Sequence, residues 1–280
     1  MAMMPLSQAH LTLLEKCDRK YQYVFFEALS GPATYDQQLT TQWGSQFHLL
    51  MQQQALNLPV DALSAADEEM SASMAALAEA APDVFAHLRS PQADETAESF
   101  SQSEHRRTLA FEGYLLTVVY DLLVCTPEQG QIFDWKTHQR PPRKSWLQKD
   151  WQTRLYLYVL CETTHLKPEQ ISMTYWFVRL EEAATEATRL QKKPTSYRFD
   201  YSAEQHQKTE KELMLLTSRL TRMIEQQNFP KVPLGSELCD SCVFNVRCDR
   251  PSATTPALEA AQLLREASQI TPESVEPIPL

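Results

Sequence analysis

The sequence predicts an α/β chain, α+β in layout, with helices first, then strands, then the two in alternation. Three observations carry this. Apolar residues recur at helical spacing through residues 7–57. Three extended segments follow, about 99–110, 114–125 and 130–136, and the middle one is almost continuously apolar. Beyond them, helical patterns near 149–164 and 203–227 alternate with strand patterns near 171–180 and 196–199.

In order along the chain, Ser7 can cap a helix running through Leu11, Leu14, Tyr21 and Phe25 to about Leu29, where Gly31-Pro32 stops it. A second helix covers roughly Asp36 to Asn57, with Trp43, Phe47 and Leu50 on one side. Residues 61–90, rich in Ala, Met and Glu, predict one or two more helices, and Ser90-Pro91 to Glu98 a loop. Pro127 to Gly130 turns the second strand into the third. A basic, turn-like stretch with Arg140-Pro-Pro-Arg143 precedes the next helix. Residues 229–250 are irregular and hold three cysteines; 251–280 read as a short helix and a mobile polar tail.

At 280 residues and 43% hydrophobic, the chain can bury a substantial core, and 5 glycines argue against a flexible or collagen-like design. No run of about 18 apolar residues predicts a membrane span. Met1 to His10 shows no basic-then-apolar leader. The expectation is a cytoplasmic protein. A net charge of -10 counts against a broad nucleic-acid-coating surface. One local exception stands out: between Lys136 and Lys149 lie Arg140, Arg143, Lys144 and His138, with no Asp or Glu. That stretch is either a solvated loop or a path for a polyanion.

The stretch follows directly on the most chemically loaded residues. Asp121 lies in the apolar strand, and Asp134 ends the next one in Gln131-Ile-Phe-Asp-Trp-Lys-Thr. Burial disfavours a carboxylate's charged form unless a partner compensates. If the two strands form a hairpin, both acids can meet one cation, and oxygen ligands suit Mg²⁺ or Mn²⁺. Lys136, two residues past Asp134, shares its face of the strand and can steady a water or a developing negative charge. The plainer reading is a surface salt bridge.

Two helices carry further candidates at i, i+4 spacing: Gly44 with His48, and Gln152 with Tyr156. His48 can ligate a metal or touch a phosphate, or be an ordinary core or surface histidine. Gly44 can let its helix approach a neighbour closely. Gln152 and Tyr156 can hydrogen-bond a backbone phosphate or a metal-bound water, or simply belong to an amphipathic helix.

The cysteines divide into two sets. Cys125 and Cys161 sit in apolar contexts and read as buried thiols. Cys239-x-x-Cys242-x5-Cys248 lies in a turn-rich segment, and Cys17 sits in the first helix. Four thiolates can hold Zn²⁺ or a [4Fe–4S] cluster, and spacing alone leaves both open.

The ordered set Cys17, Gly44-x-x-x-His48, Glu104, Asp121, Asp134-x-Lys136, Gln152-x-x-x-Tyr156 and Cys239-x-x-Cys242-x5-Cys248 resembles the RecB-like branch of the PD-(D/E)XK nuclease superfamily. More narrowly, it is similar to that branch's iron–sulfur nucleases, the CRISPR-associated RecB-like exonucleases and the AddB nuclease domain. The resemblance implies a restriction-endonuclease-like mixed sheet flanked by helices, in a single domain over 1–250. Residues 58–98 would be a helical insertion, and 229–250 would pair with Cys17. It implies His48, Asp121 and Asp134 as ligands of Mg²⁺ or Mn²⁺, with Asp121, Asp134, Lys136, Gln152 and Tyr156 as the catalytic set. Cys17, Cys239, Cys242 and Cys248 would hold a [4Fe–4S] cluster, with structural Zn²⁺ as the alternative. Glu104 matches a family glutamate, and also reads as an exposed strand acid. Val118-Val-Tyr-Asp121 stands where the family often has Gly-x-x-Asp.

The implied activity is hydrolysis of DNA, exonuclease-like on single strands or ends, in DNA repair and recombination or CRISPR-type processing. No helicase P-loop is present, so a helicase or CRISPR-type partner would be another chain. The rival readings are a catalytically weak DNA-binding or assembly subunit of a helicase–nuclease complex, and a zinc-stapled scaffold.

Overall fold

A computed structural model describes residues 3–31, 35–60, 67–89, 99–138, 143–179 and 193–250. The expected loop at 90–98, Arg140 and the tail helix after 250 lie outside the described residues. The chain divides into two compact units. One comprises Met1–Thr12 with Ala33–Gln226, the other Leu13–Pro32 with Gln227–Leu280.

The first unit is built on a six-stranded mixed sheet. Its strands are β1 (Met4–Leu6), β2 (Phe100–Phe111), β3 (Tyr114–Cys125), β4 (Gly130–Lys136), β5 (Ile171–Phe177) and β6 (Thr195–Asp200). Glu112 and Gly113, with φ of 48° and 83°, form the two-residue turn that folds β2 back on β3. β2 then runs antiparallel along one edge of β3 for nearly its whole length. The other edge is shared. β1 takes its start, pairing in parallel with Tyr114–Leu116, and β4 takes its end, pairing antiparallel with Leu122–Cys125. Between these two partners no strand among the described residues pairs with this edge of β3, and Asp121 lies at the end of that gap.

Helices cover the sheet. α3 (Tyr35–Ala55), α4 (Glu68–Ala80) and α5 (Pro82–Arg89) bury Phe47, Met51, Met70, Leu77 and Leu88 against Leu122, Val124, Phe133 and Trp135. α7 (Trp151–Glu162) packs against β2, β3 and β5. It begins where the Asp150 carboxylate caps the Gln152 N–H at 2.8 Å. α8 (Ala203–Glu225), capped by Ser202, packs on α7 and buries Thr209, Leu213, Leu216, Leu220 and Met223 as a helical stripe. Among the described residues no helix is long and apolar enough to cross a membrane.

In the second unit the expected helix from Ser7 to Leu29 is broken. α1 (Gln8–Lys16), whose last turn enters this unit, ends before Cys17. Cys17 is extended, and its thiol accepts the Lys20 N–H at 3.4 Å to cap α2 (Asp18–Tyr21), which runs on into a π-helical turn, Gln22–Phe26. Sulfur caps poorly, so the break is not legible from propensity. Tyr23 packs edge-on against Phe244, and Phe26 against Phe229. Two further elements carry no periodic signal in the sequence: the three-residue β1, and α6 (Lys144–Lys149) within the basic stretch. Both are too short for periodicity to register.

Candidate active site

The site grows from the interruption of the sheet at Asp121. On the β4 side, pairing ends at Leu122 with Phe133, leaving Asp121 and Asp134 as the next opposed positions. The Asp121 carboxylate accepts the Trp135 N–H at 2.7 Å, supplying the acceptor that the ladder no longer provides. On the β2 side, pairing skips Glu104, whose φ is 51°. A left-handed glutamate costs on the order of 1 kcal/mol and needs surroundings that enforce it. Here the Ser103 hydroxyl donates to the Asp121 carbonyl at 2.9 Å. The strand changes face across this point: Tyr120 stacks edge-on against Tyr156 of α7, while Leu122 joins the core beneath α3–α5.

Glu104 and Asp121 thereby meet His48 of α3. One ligand atom from each lies within 4.8 Å of the others. His48 Nδ1 is 3.3 Å from Asp121 Oδ1. Burial lowers the His48 pKa, but the hydrogen bond and charge of Asp121, aided by Asp134 and Glu104, outweigh it and leave the imidazole more basic than usual. Glu104 is pushed up by burial and by the Asp121 charge, against the pull of His48. Three donors held this close, two of them carboxylates, are a set that a cation would bring together.

The three line a cleft of about 630 Å³ together with Gly44, Thr137 and Tyr156. Gly44 faces Thr137: a Cβ there would lie 2.7 Å from the threonine Oγ1. Glycine is thus what lets α3 approach the end of β4.

Asp134, 3% exposed, faces α7. Its Oδ2 is 2.6 Å from Lys136 Nζ and its Oδ1 accepts the Gln152 amide at 2.7 Å. Lys136 Nζ in turn donates to Gln152 Oε1 at 2.7 Å, closing a three-membered ring of contacts, and lies 4.9 Å over the Tyr175 ring. Strand alternation puts Asp134 and Lys136 on one face, and the Asp150 cap places Gln152 in the first turn of α7 opposite them. Burial and then the Asp121 charge raise the Asp134 pKa to about 7, opposed by Lys136 and His48. A carboxylate has about four acceptor positions, so two contacts leave Asp134 able to meet a cation as well. Tyr156 has its phenol pushed up by burial and by Asp134, while its hydrogen bond to Gln152 pulls the other way.

Thus His48, Asp121, Asp134, Lys136, Gln152 and Tyr156 occupy adjoining positions in the first unit. His48 and Asp121 form one cluster with Glu104, and Asp134, Lys136 and Gln152 form the other. Glu104 stood outside the expected ligand set. Its one signal in the sequence is its place upstream of the strands that carry Asp121 and Asp134, with a match to a glutamate of the family it resembles; the left-handed backbone that turns it inward leaves no mark in the sequence.

Cys17, Cys239, Cys242 and Cys248 all lie in the second unit and line one pocket of about 70 Å³. Burial and the neighbouring thiols at 17, 242 and 248 raise the Cys239 pKa, opposed by Arg250. The Cys248 thiol reaches the Tyr23 hydroxyl at 3.9 Å. Among the described residues no three of these thiols come within 4.8 Å of one another.

The family model of the PD-(D/E)XK nuclease superfamily matches residues 5–249. No curated protein matches. Among solved structures, the chain is similar to SSO0001 at 10% identity and a TM-score of 0.38, over 89% of this chain and 88% of that one. It is also similar to a Eubacterium rectale protein provisionally named an exonuclease, at 11% identity and a TM-score of 0.41, over 91% of each chain. Likenesses this distant carry no argument about chemistry.

Proposed function

The chain belongs to the PD-(D/E)XK nuclease superfamily, and from that premise we propose a divalent-metal-dependent deoxyribonuclease, exonuclease-like on single strands or ends. Membership implies an enzyme that hydrolyses phosphodiester bonds. The observation that carries the finer reading is the bonded ring of Asp134, Lys136 and Gln152 beside the His48–Glu104–Asp121 cluster.

In this reading His48, Asp121 and Asp134, with Glu104, hold Mg²⁺ or Mn²⁺. The donor set fits: predominantly carboxylate oxygen, with one imidazole. A cation held by these residues would supply Lewis-acid polarisation of the phosphate and activation of water. Lys136, with three donors, keeps one on Asp134 and one on Gln152 and turns the third toward the scissile phosphate or the attacking water. Gln152 holds the ammonium and the carboxylate in register. Tyr156, kept protonated by burial, retains an O–H to donate.

The second unit we assign to a [4Fe–4S] cluster held by Cys17, Cys239, Cys242 and Cys248. What supports it is four thiols around one pocket, with the Cys239 thiol within electrostatic reach of the other three; four thiolates are a ligand set for such a cluster. Its role is to fasten 13–32 to 227–250.

The experiment is loss of labelled single-stranded DNA in Mg²⁺ or Mn²⁺, with Asp134→Ala and Lys136→Ala as controls. Both variants are expected to fold and to lose cleavage. Undiminished cleavage in either removes the site assignment, and a purified wild type inert in both metals removes the activity.

A further inference from the structure

We propose that Trp146 is a stacking platform for an unpaired base of single-stranded DNA, with Arg143, Lys144 and Lys149 holding the neighbouring phosphates. This deepens the nuclease reading and rests on it.

The observation is a short helix: α6 has six residues and, among the described residues, buries none of its own side chains. Helices this short are marginal alone and normally owe their existence to a packed apolar face. Its Trp146 is 55% exposed. A single exposed apolar side chain is ordinary, but this one stands in a particular setting. Residues 143–149 contain three cations and no acid, in a chain of net charge -10. Among the described residues none of the three has an ion-pair partner. Arg143 lies 5.9 Å from the Trp146 ring and Lys144 Nζ 5.0 Å from the Phe199 ring, so two of the cations rest on aromatic faces rather than on acids.

The helix is also fixed in place beside the catalytic residues. The Thr153 hydroxyl lies 2.6 Å from the Leu147 carbonyl and 2.8 Å from the Tyr175 hydroxyl. Tyr175 is the ring beneath Lys136. Asp150, the residue after α6, caps the helix that carries Gln152. An exposed aromatic among cations, tethered to the reacting end, has the chemistry of a single-strand binding surface. Every base offers a π-face once it is unstacked, whereas bases in a duplex are already stacked on each other. The platform therefore selects single strands without selecting sequence.

The test uses the full chain in EDTA, so that binding is read without cleavage. The probes are a labelled oligothymidylate of about 15 nucleotides, the same strand with abasic positions, and a blunt duplex. Trp146→Ala is expected to weaken binding of the thymidylate by about 5- to 150-fold, the range for loss of one stacked base. Duplex binding and abasic-strand binding should stay near the wild-type values, and Trp146→Phe should keep most of the affinity for the intact strand. Equal affinity of Trp146→Ala and wild type for the thymidylate overturns the proposal. So does an equal loss on all three probes, which would mark a structural or purely electrostatic role. The nuclease reading is judged separately, by wild-type cleavage in Mg²⁺ or Mn²⁺. A protein that cuts but shows no Trp146 effect loses only this proposal; a wild type that binds no thymidylate in EDTA also loses it, and only a wild type inert in both metals loses the nuclease reading.

Discussion

The Asp121 carboxylate accepts the backbone N–H of Trp135 at 2.7 Å, so one candidate metal ligand also closes the fork where β3 and β4 part. The two roles are separable by substitution. Asp121→Asn keeps an oxygen for the Trp135 N–H and loses the negative charge. Cleavage should fall by orders of magnitude while the melting temperature holds. Asp121→Ala should lose both, with an added cost of about 1–3 kcal/mol for the buried N–H left without an acceptor. Equal melting temperatures for the two variants would show that the fork does not need this carboxylate.

Gly44 and Thr137 set a second test. Alanine at 44 would gain up to about 1 kcal/mol of helix propensity. The 2.7 Å approach to Thr137 Oγ1 opposes that gain, and overpacking costs typically about 1–3 kcal/mol. Gly44→Ala is therefore expected to be less stable and less active than wild type. Thr137→Ala in the same chain should restore stability, leaving a coupling energy between the two sites in a double-mutant cycle. Additive effects of the two substitutions would show that the contact does not limit how α3 lies on β4.

Asp134 makes the metal-free protein pH-sensitive in an unusual direction. Its pKa is raised from 3.8 to about 7, with burial the first cause. Between those values the folded chain holds a proton that the unfolded chain releases, so stability falls as pH rises, by at most about 1.4 kcal/mol per pH unit for one group. In EDTA, the stability difference between Asp134→Asn and wild type should shift in favour of the variant between pH 5 and pH 8. A difference independent of pH would mean that Lys136 keeps Asp134 ionised throughout.

The second unit predicts a spectrum. Protein purified without oxygen should be brown and carry iron and sulfide, and Cys17→Ala should bleach it as fully as Cys239→Ala does. Because the metal's binding energy is also folding energy, each variant should melt lower and be cut by protease within 227–250. A colourless native protein with one zinc per chain would replace the cluster by a zinc site.

The sequence alone determined what local rules govern. Asp134 and Lys136 share a face because a strand repeats every two residues, and Gly44 lies over His48 because a helix brings positions four apart together. The long apolar run of β3 and the Cys239–Cys248 spacing were equally legible, since each is written within a few residues. The tertiary structure decided everything that depends on partners far along the chain. β1 and β4 divide one edge of β3, and only that division leaves Asp121 unpaired. Glu104 takes a left-handed backbone where the pairing of β2 with β3 skips a position, and Cys17 breaks its helix where propensity predicts continuation. The physical reason is common to all of these: strand pairing and close packing are settled by contacts between distant residues, whose energies outweigh the preferences any short segment carries.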